Sequence, residues 1–149
     1  MLFPASCSKP ILVPVPMDMG LLTPCHVDDL LTSTWLSPCG QRTDTRLRSL
    51  ARHRHLLDTF PSLLACDLYS PFYVYTHSQI RNADNLTTNE LITRLSNGQT
   101  RWKGDILVVK VSHQDRDIVT DVLLEDVNLI KLLVLWCALS LSQALYLGL

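Results

Sequence analysis

A chain of 149 residues fits one domain and, if all of it folds, buries about two thirds of the surface its unfolded form exposes. Its apolar and charged contents are ordinary for a globular protein, which argues against wholesale disorder. The formal net charge of −1 excludes a global pull toward nucleic acid or an anionic membrane, although a local patch can still act.

Five cysteines stand at positions 7, 25, 39, 66 and 137. Their number is odd, their spacing wide, and no pair forms C-x-x-C, unlike a secreted disulfide scaffold. No basic residue precedes the first apolar stretch, and Pro4, Pro10, Pro14 and Pro16 break the helix that a signal peptide would need. The expected setting is intracellular and cytoplasmic, with free thiols.

The first forty residues hold six of the eight prolines. Proline fixes φ and removes a donor, so regular structure there must be short. The reading is a proline-rich arm over 1–40, irregular or partly disordered, or an edge segment laid over the core. A short helix is expected near Asp28 and Asp29, ending before Pro38 and Gly40. The remainder, 41–149, reads as a single small domain.

Residues 43–60 read as an amphipathic helix with Leu47, Leu50, Ala51 and Leu57 on one side, closed by Pro61. Between 42 and 55 lie five arginines and two histidines, with Asp44 the sole acid. The aromatic and β-branched run 72–76 suits a strand after Pro71.

Residues 87–96 carry several agreeing helix signals. Thr87 and Glu90 form the S/T-x-x-E capping box, and Leu86 and Leu91 occupy the positions of a hydrophobic staple. This explains Asn85-Leu86-Thr87 better than its match to a glycosylation sequon. Leu91, Ile92 and Leu95 form the side to be buried, and Asn97-Gly98 supplies a left-handed stop. The apolar run Ile106-Leu107-Val108-Val109 predicts a strand over 105–111, and 117–122 should return antiparallel beside it. A last helix is expected from Glu125 and Asp126 onward.

Trp102-Lys103-Gly104-Asp105-Ile106-Leu107-Val108-Val109-Lys110, followed by the Asp121 region and a helix reaching Trp136, resembles a pattern in short uncharacterised proteins of mushroom-forming fungi. The resemblance covers about residues 91–136. It implies no activity, cofactor or site.

No catalytic, cofactor or metal site can be written from the residue pattern. Cys25, His26, Cys39, His53 and His55 include zinc-ligand types, but adjacent residues seldom bind one ion, and positions two apart on a helix face different ways. There is no G-x-S-x-G elbow and no glycine-rich phosphate loop. Cys66 reads as a small core residue. Arg46, Arg48, Arg52 and Arg54 are the candidate polyanion contacts, weighed against a solvated helix face in a near-neutral chain that does not favour nucleic acid as partner. Residues 132–149 carry no charge, which meets the usual minimum for a membrane span, with Lys131 at its edge.

The expected fold is α+β: a helix–strand–strand–helix unit, with a third strand near 72–76, behind the proline-rich arm. The leading reading is a non-enzymatic interaction protein needing no cofactor, with a protein partner. A tail-anchored membrane protein comes second, and polyanion binding through a helix over 42–58 third.

Overall fold

The computed structural model describes residues 1–5, 7–13, 22–24, 27, 54–59, 67–77 and 86–146. Among them the elements are β1 (Leu2–Phe3), β2 (Arg54–Thr59), β3 (Asp67–Thr76), α1 (Glu90–Leu95), β4 (Ile106–Val111), β5 (Val119–Thr120) and α2 (Asp126–Tyr146). The fold is α+β. The strands form one antiparallel sheet in the order β1-β4-β3-β2, with β5 also on β4. Since β3 occupies one edge of β4, β1 and β5 share the other. β1 pairs at Ile106 and Leu107, and β5 at Lys110 and Val111.

Alternation along β4 separates two cores. Ile106 and Val108 pack with Phe3, Phe72 and Val74 on the face covered by α1 and α2. Leu107 and Val109 pack on the other face with Leu2, Tyr75 and Val27, joined by half-buried Val13, Leu22, Tyr73 and Val119. A strand covered on both faces carries a continuous apolar run, which is why this segment reads ILVV rather than alternating with polar residues.

The strand expected near 72–76 is present and longer. It begins at Asp67 and passes through Pro71, where its register against β2 shifts between Leu57 and Thr59. Proline cannot donate to a ladder, and an irregularity of this kind accommodates it within a strand. The predicted helix over 43–60 is corrected at its C-terminal end, because Arg54–Thr59 is a strand paired with β3 from Arg54 opposite Tyr75 to Leu57 opposite Phe72. Helix propensity is a weak preference, and the ladder offered by an aromatic-rich neighbour overrides it. Positions 43–53 and the short helix expected near Asp28 lie outside the described residues.

The N-terminal segment contributes to the core. Met1, Leu2 and Phe3 are buried, and the Met1 amine donates to the Val108 carbonyl at 2.6 Å. Ile11 exchanges backbone hydrogen bonds with Leu2, as an edge segment would.

Helix α1 starts later than its capping box predicts. Asn89, not Thr87, is the N-cap, and its Oδ1 accepts from the Ile92 amide. Thr87 is unavailable because its carbonyl accepts from Gly104 N–H, while Thr88 bridges to Lys103 and the Asn89 amide donates to Trp102. The expected stop is present. Gly98 N–H donates to Thr93 and Asn97 N–H to Arg94, with φ of +77° and +50° respectively. These are the paired bonds of a Schellman ending. Leu91 and Ile92 are buried and Leu95 packs against the same core.

Lys110 lies on the helix-covered face and binds both Asp126 carboxylate oxygens, at 2.8 and 3.0 Å. The same carboxylate accepts from the Leu123 amide, so it ties the start of α2 to the central strand.

Two predictions follow from the cap and the glycines. Asn89→Ala removes the cap and orphans two buried carbonyls, so urea unfolding should show a loss of about 3 kcal/mol. Thr87→Ala should cost under about 0.5 kcal/mol, because the Thr87 side chain is not the cap. Gly98→Ala should cost about 1 kcal/mol from its positive φ alone, since nothing lies within 4 Å of an added Cβ. Gly104→Ala should cost about 3 kcal/mol or more, since its Cβ would stand 2.5 Å from Cδ2 of buried His77 in addition to the φ strain. Equal melting shifts for the two glycine variants would contradict the packing account.

Candidate functional site

Cys25, His26, Cys39, His53 and Cys66 lie outside the described residues, as do Arg46, Arg48 and Arg52. His55 sits exposed on β2. Among the described residues, no three His, Cys, Asp or Glu side chains converge to hold a metal ion. Cys137 is buried on the sheet side of α2, and burial pushes its thiol up to about 11. A thiol so desolvated is a poor nucleophile at neutral pH.

Arg54 is the one polyanion candidate within the described structure, and it lies on a strand rather than a helix. Its guanidinium stacks over the Tyr73 ring, 4.8 Å from the centroid. Continuing the register that sets Tyr73 opposite Val109 by four residues brings Tyr69 opposite His113. Their rings are parallel within 7°, with centroids 6.2 Å apart. Tyr69 is 91% exposed. Beside this pair, Arg116 meets Asp58 at 3.3 Å. Tyr69 and His113 thus lie together beyond the end of β4, while Arg54 lies toward the other end of β3, opposite Tyr75. The sequence reading missed Tyr69 because it began the strand after Pro71. Tyr69 and Tyr73, four residues apart, were the available signal of a shared strand face.

A second surface lies on α2. Ile130, Leu133, Val134, Cys137 and Ala138 are buried against the sheet side. On the opposite side Leu132 and Trp136 are 52% and 37% exposed, and Leu135 and Leu139 lie beside them half-buried. The spacing i, i+3, i+4, i+7 puts these four on one stripe. Leu124, just ahead of the helix, is 85% exposed. The helix is therefore apolar on both sides, with one side committed to the core. Among the described residues, no helix is long and apolar enough to cross a membrane.

The third unusual group is the Met1 amine, whose burial lowers it from 8.0 to about 5. Desolvation penalises the ammonium form, while the neutral amine still donates to Val108.

No protein-family model matches the chain, and no curated protein or solved structure matches it either. Function must therefore be argued from these surfaces.

The amine yields a pH prediction. Between pH 5 and 8 the unfolded chain binds a proton that the folded chain refuses, so stability should rise with pH across that window. Below it both states are protonated and the penalty is complete; above it both are neutral and the penalty vanishes. The full change corresponds to about 4 kcal/mol. Urea unfolding at intervals through the window should give this rising profile, and a flat one would contradict it.

Proposed function

We propose that the protein is a non-enzymatic interaction module that meets a protein partner through the outer face of α2. The observation that carries this reading is the stripe of exposed Leu132 and Trp136 with half-buried Leu135 and Leu139, on a helix whose other side is already buried. Helix faces with this spacing dock into apolar grooves or against other helices, with a few large side chains as anchors. Leu132 and Trp136 have the size and exposure of such anchors. Residues 132–149 carry no charge, so the face offers nothing to an anionic ligand and is matched by apolar surface. Cysteine usage supports an intracellular setting.

A tail inserted in a membrane is the competing reading. It draws on the same uncharged run. Against it, Leu133, Val134, Cys137 and Ala138 are buried by protein, so within 132–141 only one side of the helix is open to lipid.

Site-specific photocrosslinking in cells separates the two. A Leu132→p-benzoylphenylalanine variant should crosslink to a protein, and Leu124→Asp should abolish the adduct while leaving the circular dichroism unchanged. The same crosslinker at exposed Gln114 should not give it. Lipid adducts from position 132, or no adduct at all, would overturn the proposal.

A further inference from the structure

We infer that the occupant of the outer α2 face is a second copy of this chain, with the two helices parallel and in register about a two-fold axis. The inference rests on the reading of that face as a docking surface for protein, and names what docks there.

Steps of four, three and four residues lead from Asn128 through Leu132 and Leu135 to Leu139. These are the alternating steps of a coiled-coil seam, with Asn128 and Leu135 at d and Leu132 and Leu139 at a. In that frame Ile130, Leu133, Val134 and Cys137 take positions b, c and f, on the side away from the seam, and all four are buried in the core. One helix thus presents two separate faces for packing, and its own sheet covers only one. The four seam residues are exposed or half-buried. A seam of this spacing is filled by another helix with the same repeat, whose side chains enter the holes between its own. Over 126–139 it is about 20 Å long.

The polar residues point to an identical helix. Asn128 is exposed and is the single polar member of the seam. In a parallel, in-register pair it faces the partner's Asn128, and an amide both donates and accepts, so each satisfies the other. A lone asparagine in a seam selects that register, because other registers set it against apolar side chains. An antiparallel pair that sets Leu132 against the partner's Leu135 sets Asn128 against the partner's Leu139. Lys131 supplies a second match. It occupies g, which in a parallel pair lies beside e of the partner five residues on, here the partner's Trp136. Trp136 is 37% exposed. An ammonium is attracted to an indole face, and the two-fold axis makes this contact twice. The same arrangement gathers both copies of Glu125 at one end, where they repel. Glu125 precedes the helix and is exposed, so salt screens that repulsion.

The test is sedimentation equilibrium of the full chain from about 1 to 300 µM, since a seam of two heptads should bind in the micromolar range. The expected result is one monomer–dimer equilibrium. Leu132→Asp should weaken it about tenfold or more with the circular dichroism unchanged. Lys131→Met and Trp136→Ala should each weaken it, and the double variant should lose less than the product of the two single losses. Asn128→Cys, oxidised with glutathione disulfide, should link two copies through the substituted positions, as peptide mass spectrometry would show. Gln114→Cys should not. A monomer at every concentration, a dimer indifferent to Leu132→Asp, or a dimer that Asn128→Cys does not link would each overturn the inference. The docking reading is judged separately. A monomeric chain that photocrosslinks from position 132 to a different protein overturns the second-copy inference alone, and a monomeric chain that gives no protein adduct overturns both.

Discussion

One buried amide holds three separate parts of this chain together. The Asn89 side chain is fully buried, caps α1 through its oxygen, and donates through its nitrogen to the carbonyls of Phe3 and Gly104, each at 3.0 Å. Phe3 belongs to the N-terminal strand, and Gly104 to the turn that launches β4. A threonine or aspartate could cap the helix, but neither has two N–H donors. Buried carbonyls left without partners cost more than a satisfied hydrogen bond contributes, so this position constrains residue type as well as geometry. The close approach of the Gly104 backbone to His77 adds a second restriction at the same junction.

Around that junction, β4 organises the sheet. It meets β3 along one edge and shares the other between β1 and β5, so strands from Leu2 to Thr120 converge on six residues. The consequence is an N-terminus inside the core. The Met1 amine takes part in the hydrogen bonding of β4, and its burial makes folding sensitive to protonation at that point. On the helical side, the bidentate Lys110–Asp126 pair and the Leu123 amide position the first turn of α2 over the strand. The helix then lies with Ile130, Leu133 and Val134 against the sheet.

This arrangement leaves two surfaces of different chemistry. The outer side of α2 over 132–139 is apolar and uncharged. Beyond the end of β4, Tyr69 and His113 stand exposed with parallel rings. One face of the sheet is covered by α1 and α2, and among the described residues the other is filled by Val13, Leu22, Val27 and Val119 where Leu107, Val109 and Tyr75 lie. The residues beyond that cover, Tyr69 and His113, remain in contact with solvent.

The sequence by itself determined the elements whose signals are local. The ILVV run and its return strand, the Asn97-Gly98 stop and the acidic start of the last helix all depend on neighbours within a few positions, and each is present. The exposed α2 stripe was also legible in part, as an uncharged run. Tertiary structure decided the rest. Thr87 and Asn89 are both competent caps, and the choice fell to Asn89 because the Thr87 and Thr88 backbones are already bonded to 103–104. Arg54–Thr59 has helical spacing when read with the residues before it, yet becomes a strand because β3 supplies a ladder. Tyr69 lies on β3 because a register irregularity lets the strand continue through Pro71. In each case the deciding partner is distant in sequence, and local periodicity contains no information about it.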